Sequence, residues 1–333
     1  MTYTRKHITF TATLSALLLM VACLVSCGHS NNTTPKDTTT SGMTTIYCDN
    51  SFENIMEQEI EVFEYNYPKA NIMPFYVDEK TAIDSLMEGA TKLLVTSRMI
   101  NDQDIEYLRS KKRNLRQQRL AVDAIAIVVN NENTIEELSL QDIRDILTGK
   151  VKRWGEIEPT KLRNDSIIVV FDHKSSSITH HMRDSILHGE KFNAKVYAQG
   201  TPTDVFTAVE KIKNAVGLIG VTWVCTDMSG KDLPLEQRVK ELNEQSTATF
   251  DFKNQIKVLS VRYDDLPIGK KPYQAYIFDG SYPLYRSLYV ITTGPSGSLA
   301  SGFYSFLTSV IGQKIILNTG ILPASIHPRV VEN

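Results

Sequence analysis

Hydroxyl-bearing residues recur along this chain where a strand-like run gives way to a helix-like one. Asp49-Asn50-Ser51 stands between the first such run and its helix, which Phe52 opens. Lys80-Thr81 precedes the second helix, and Thr96-Ser97-Arg98 follows the third strand. Further on, Ser175-Ser176-Ser177, with Thr179 just behind, opens another helix. In open α/β sheets ligands bind beyond the carboxyl ends of the strands, where such junctions converge. A helix N-terminus offers unsatisfied N–H groups and the positive end of a dipole, which suits a tetrahedral oxyanion. Serine and threonine add neutral donors without the desolvation cost of a charge. Any single junction is also what an N-cap looks like, because Ser, Thr, Asp and Asn are the common capping residues. The run of serines at 175–177 exceeds what one cap needs, so that junction is the strongest candidate.

Signatures of other chemistry are missing. No G-x-S-x-G elbow occurs; Gly294-Pro295-Ser296-Gly297-Ser298 ends in serine where glycine is needed. Neither H-E-x-x-H nor G-x-x-x-x-G-K-[ST] is present. His173, His180, His181 and His188 lie close together, but adjacent histidines leave a helix on different sides and no carboxylate has ligand spacing. They read as a solvated helix face, and neither a metal nor a cofactor is expected. A hydrolase acting through a serine would need a base paired with it, and none is visible. The chain is therefore expected not to be an enzyme. Cys48 and Cys225 form no C-x-x-C and are expected to be buried free thiols.

The elements that must position these junctions follow from periodicity. Thr44–Cys48 is β-rich, and Phe52, Met56, Ile60, Phe63 and Tyr67 then mark one face of a helix. Asn71–Val77 is the next strand; Ile83, Leu86, Met87 and Ala90 stripe the next helix. Leu93–Thr96 is a brief buried strand, and Asn101 caps a helix over 102–108. Leu120–Val129 is almost wholly apolar, as a strand buried on both faces must be. The alternation then restarts. Ser139 and Asp142 form a capping box before a helix that Gly149 closes. Ser166–Phe171 is a strand, and Ile178, Met182 and Ile186 stripe a helix. Thr201 caps a helix with proline in its first turn, and Val216–Val221 is a buried strand. From Asp227 to Asn254 the chain turns polar and reads as a surface insertion. Strands at Ile256–Val261 and Ser287–Thr293 and helices over 299–310 and 313–317 complete the pattern. Such alternation predicts an α/β protein with mostly parallel sheets flanked by helices, in two lobes joined by crossing strands near Val122 and Leu288.

The N-terminal segment reads as an export signal. Arg5, Lys6 and His7 precede an apolar run from Ile8 to Val25 that ends at Leu24-Val25-Ser26-Cys27. This resembles the bacterial lipobox, so residues 1–26 are expected to be a lipoprotein signal peptide and Cys27 the lipidated residue, anchored by several acyl chains. Residues 27–43 are expected to be a flexible tether, nearly free of apolar residues. Lys and Arg number 36 against 38 acids, a formal net charge of −2 that grows more negative once Arg5 and Lys6 are removed. A mildly acidic chain gives no reason to expect nucleic acid.

Taken in order, several stretches resemble the phosphate-binding subunit of phosphate ABC importers, a type II periplasmic-binding-protein fold. They are Ala121–Asn130, Asp142–Trp154, Val216–Val221, Tyr282–Thr292 and Phe306–Pro323, which together span nearly the whole mature domain. The resemblance implies lobe I from 44–121 plus 293–333 and lobe II from 122–292, with the insertion at about 227–254. It implies a monomer that faces the periplasm, closes around a phosphate ion and passes it to a permease in the inner membrane. First-lobe contacts would come from Ser51 and the Phe52 amide, Lys80 or Thr81, and the Thr96-Ser97-Arg98 turn. The family's second-lobe Ser-Gly-Thr is replaced by Ser175-Ser176-Ser177. The chain departs from the family at Asp172, where an arginine is usual, and at Ser97, where an aspartate often accepts the proton of hydrogen phosphate and repels sulfate. The expected redistribution makes Arg98 the cation and Asp49 or Asp172 the proton acceptor. Alternatives are another oxyanion (sulfate, molybdate), a small organic anion, or an envelope sensor or interaction module of the same fold.

Overall fold

The strands fall where the apolar runs predict them. A computed structural model describes residues 36–158, 162, 164–194, 196–225, 233–244 and 251–325. The expected signal peptide and Cys27 lie outside the described residues. In chain order the strands are β1 (Ser41–Asp49), β2 (Lys69–Val77), β3 (Leu93–Thr96), β4 (Arg116–Asn130), β5 (Glu137–Ser139), β6 (Ile168–Phe171), β7 (Val196–Ala198), β8 (Ala215–Gly220), β9 (Ile256–Val258), β10 (Ser260–Arg262), β11 (Tyr285–Thr292) and β12 (Leu322–Pro323). The main sheet runs β2-β1-β3-β11-β4-β8-β6-β7, with β9 and β12 also paired to β4; β10 and β5 pair separately. β1, β2 and β3 are mutually parallel, as are β6, β7 and β8, so each half has the parallel core that strand–helix alternation predicts.

β4 joins the halves. Up to Ala124 it pairs antiparallel with β11, and from Ile125 onward with β8 and β9. The partner change falls slightly later on β4 than Val122, and on the return it falls before Tyr285 rather than at Leu288. The apolar side chains from Leu120 to Val129 are buried, apart from half-buried Val122, because β4 is covered on both faces. One residue breaks that rule. Asp123 is 1% exposed in the middle of the apolar run, and β4–β11 register sets Arg286 directly opposite it.

Local signals held well. The Ser139–Asp142 capping box closes both ways, and Gly149 ends that helix with φ 72°. Cys48 and Cys225 are buried and free. Three segments differ from the sequence reading, the first being the strand expected over Ile256–Val261, which is split into β9 and β10 in different sheets. The ordered fold begins before the expected end of the tether: β1 starts at Ser41, and the Asp37 carboxylate accepts from the Leu299 N–H, capping the Leu299–Leu307 helix. Within the expected insertion, Leu235–Glu244 is a helix rather than irregular chain. Leu235, Val239 and Leu242 recur at helical spacing and pack on the core, and buried Arg238 pairs with Glu61 at 2.5 Å.

Candidate functional site

At the C-terminal end of β1, Asp49 caps a single turn over Asn50–Phe52, its Oδ1 accepting from the Ser51 N–H at 2.9 Å. At the corresponding end of β6, Ser176 caps the Ser177–His181 helix, its Oγ accepting from the Thr179 N–H at 3.2 Å. Asp172 accepts from the His173 N–H through Oδ1 at 2.7 Å and from the Ser51 hydroxyl through Oδ2 at 3.4 Å. The Ser51 and Ser177 hydroxyls also stand 3.4 Å apart. Two junctions widely separated in the chain thus meet as topology demands, at the carboxyl ends of parallel strands.

The cation at this meeting point is Arg286, on β11. Its Nη1 donates to the Ser177 hydroxyl at 2.5 Å, and its Nε donates to Asp123 Oδ2 at 3.0 Å. The guanidinium lies 4.6 Å from the Phe52 ring centroid, a cation–π contact that fixes its plane. Asp49, Ser51, Asp123, Asp172, Ser176, Ser177 and Arg286 are all buried. Burial pushes the Asp49 and Asp123 carboxyls up, and in both the charge of Arg286 is the largest opposing influence. Burial, reinforced by Arg286, holds the His181 imidazole down at about 4, so this histidine is neutral at physiological pH. Among the described residues, Asp49 Oδ2, Asp123 Oδ1 and Arg286 Nη2 lack hydrogen-bond partners; Nη2 is 2.9 Å from Asp123 Oδ2 but poorly aligned with it. Buried orphans of this kind are costly and mark where a polar ligand would find partners.

A second cluster adjoins the first. Glu79, 1% exposed at the start of the Glu79–Glu88 helix, accepts from the Thr96 and Ser97 hydroxyls and pairs with Arg98 at 3.1 Å. From the other half, His180 Nδ1 lies 3.2 Å from Glu79. Burial raises the Glu79 carboxyl, yet the hydrogen bonds from His180 and Ser97, the Arg98 charge and the Thr96 hydroxyl bring it from 4.5 to about 2. A depressed carboxylate stabilises the fold above its unfolded pKa, and that contribution fades as pH falls from 4.5 toward 2. Glu79→Gln is therefore expected to lose about 2 kcal/mol at neutral pH, the worth of hydrogen bonds to a charged group. The gap between variant and parent in thermal melts should close as pH falls; a gap that ignores pH would mean the charge of Glu79 is not what matters.

Of the residues singled out from sequence, the structure brings Asp49, Ser51, Phe52, Asp172, Ser176 and Ser177 together. It gathers Thr96, Ser97 and Arg98 around Glu79, where the Arg98 charge is met by a carboxylate. It leaves Lys80 exposed and paired with Asp84 on its own helix, and Thr81 bound to the Asp78 cap. Ser175 and Thr179 bond within their own loop, to His173. His180 and His181 are not a solvated face, since one meets Glu79 and the other lies half-buried beside Arg286. Sequence reasoning missed Glu79, Asp123 and Arg286. The available signal was a lone acid in one apolar strand and a lone arginine in another.

The halves also touch around the site. Asn54 Nδ2 donates to the Thr222 carbonyl at 3.1 Å, and Trp223 Nε1 donates to the Ser51 carbonyl at 2.8 Å.

The chain as a whole is similar to several known proteins. A family profile described as a PBP superfamily domain matches residues 33–310. The chain is 24% identical over 297 residues to the phosphate-binding protein PstS of Pseudomonas aeruginosa, covering 85% of this chain and 83% of the relative. It is 23% identical over 282 residues to the Staphylococcus aureus protein of the same name, covering 84% and 76%. Among solved structures, a Clostridium perfringens ABC transporter substrate-binding protein with bound phosphate has a TM-score of 0.65 at 18% identity, covering 85% of this chain and all of that one (100%). An ABC-type phosphate transport receptor from Vibrio cholerae has a TM-score of 0.59 at 19% identity, covering 85% and 100%. At such identities the structural likeness concerns the fold.

Proposed function

The chain belongs to the PBP superfamily, and from that premise we propose that it captures inorganic phosphate between its two halves and delivers it to an ABC importer. The observation that carries this reading is the buried convergence of Ser51, Asp172, Ser177 and Arg286, with orphaned polar atoms on Asp49, Asp123 and Arg286 around it. Hydroxyl donors and one guanidinium suit an oxyanion, while the nearby carboxylates of Asp49, Asp123 and Asp172 suit one that still carries a proton. Curated relatives named as phosphate-binding proteins support the same ligand. The relatives are solute-binding proteins, so the reading is capture and release.

Capture works by hinge closure about the β4–β11 crossing, where sheet pairing changes partner. The Glu79–His180 contact and the Trp223 bond to Ser51 then hold the halves together around the ion. Anchorage through Cys27 keeps a monomeric domain at the envelope face of the permease. The test is calorimetric titration of residues 28–333, stripped of carried-over ligand, with phosphate and then sulfate at neutral pH. Tight phosphate binding without a sulfate signal is expected. Binding of both removes the proton-reading role of the carboxylates, and silence toward both, in a folded sample, overturns phosphate capture.

A further inference from the structure

A separate cavity of about 470 Å³ lies at the opposite end of β3 from the Thr96–Arg98 turn. Lys92, Lys112, Arg113 and Arg116 line it, with Thr293 and Ser296 among its polar groups and no carboxylate in its wall. Such a concentration is unexpected in a chain whose formal net charge is −2. None of the four cations forms an ion pair among the described residues.

The two arginines are held in place by neutral partners. Arg113 donates to the Leu86 carbonyl at 2.8 Å and the Met87 carbonyl at 2.5 Å, at the end of the Glu79–Glu88 helix. Arg116 donates to the Ser301 hydroxyl at 3.0 Å and lies 5.1 Å from the Tyr304 ring centroid. Neutral partners of this kind fix a guanidinium without cancelling its charge, which is what a pre-organised anion site requires. Lys112 follows the Asp102–Ser110 helix in left-handed backbone, with φ 59°. Glycine ends a helix this way at lower cost, yet here the position carries a lysine that borders the cavity. The volume is in the range of sites for whole small molecules rather than for one ion.

We propose that this cavity is a second anion site, which binds a multiply charged phosphorylated group independently of the cleft. Soluble phosphorylated compounds and phospholipid headgroups share that chemistry, and the second source is open to a chain tethered through Cys27. The test compares residues 28–333 with their Lys92→Glu/Lys112→Glu variant, so that neither the apolar leader nor an acyl group contributes. Both lysines are exposed, so the fold tolerates reversal. In one arm each protein is titrated with pyrophosphate in saturating inorganic phosphate, which keeps the cleft occupied. In the other, each is sedimented with vesicles of phosphatidic acid, whose phosphomonoester headgroup is multiply charged, and phosphatidylcholine, against phosphatidylcholine alone.

Reversal is expected to weaken binding on the order of thirtyfold, with strong salt dependence, while inorganic phosphate still binds the cleft. Loss in the pyrophosphate arm identifies a soluble ligand, and loss confined to the anionic vesicles identifies a headgroup. If neither arm separates parent from variant, the second site does not exist. If cleft binding alone is absent from the parent, only the phosphate-capture reading fails.

Discussion

Replacing Arg286 with methionine is expected to weaken phosphate binding about a hundredfold or more and to destabilise the fold by about 3–5 kcal/mol. Both effects come from one geometry. Arg286 and Asp123 are 3% and 1% exposed, and Nη2 and Oδ2 are 2.9 Å apart. Removing the guanidinium leaves the Asp123 carboxyl buried without its counter-charge, and takes the cation from the Ser177 hydroxyl. The effects separate in a second variant. Arg286→Met with Asp123→Leu fills the same space with apolar atoms and should recover most of the lost stability, because buried ion pairs are often no better than well-packed apolar replacements. It should not recover binding. Chemical denaturation and calorimetry on the parent, single and double variants check both. If the double variant binds phosphate as tightly as the parent, Arg286 is not the cation that meets the anion, and Arg98 becomes the residue to test.

Asp49→Asn is expected to open the cleft to sulfate by on the order of a hundredfold or more while costing phosphate less. Both oxygens of Asp172 are already engaged, by the His173 N–H and the Ser51 hydroxyl. Asp49 uses Oδ1 for the Ser51 cap and leaves Oδ2 without a partner. On the phosphate-capture proposal, Asp49 Oδ2 and Asp123 Oδ1 are the oxygens left to accept the proton of hydrogen phosphate, and Asp123 is already paired with Arg286. Sulfate brings no proton at neutral pH, so its oxygens would face a buried carboxylate. Asparagine keeps the capping oxygen and replaces the orphan acceptor with a donor. Because burial raises the Asp49 carboxyl, the parent should also begin to accept sulfate as pH falls and Asp49 takes up a proton. Titrations with both anions across acid and neutral pH decide the matter. Sulfate binding that Asp49→Asn leaves unchanged, but Asp172→Asn creates, would move the acceptor to Asp172.

Much of this protein was legible before any coordinates. Apolar stripes such as Met56, Ile60 and Phe63 fall on one helix face because a helix repeats every 3.6 residues, and those side chains are buried. The capping box at Ser139 and the glycine stop at Gly149 are set by chemistry within a few residues. Strand–helix alternation implied parallel sheets in two lobes, and therefore junctions meeting at strand ends. That logic picks out Ser51, Ser176 and Ser177, which the fold does bring close together.

The charges were not legible in the same way. Arg98 follows the third strand and looked like the site's cation, but the fold brings a buried glutamate, Glu79, to meet it. Arg286 looked like one polar residue in a return strand. Asp123, 163 positions earlier, is a lone acid in an apolar one. Only β4–β11 register sets them opposite each other, and only closure of two halves brings Ser177 within reach of both strands. The chain's local patterns thus determined its elements, its fold class and the hydroxyl donors of its site. Which charges face one another was decided by tertiary structure alone, because an ion pair depends on distance in space, and strand pairing across a long loop leaves no local periodicity to read.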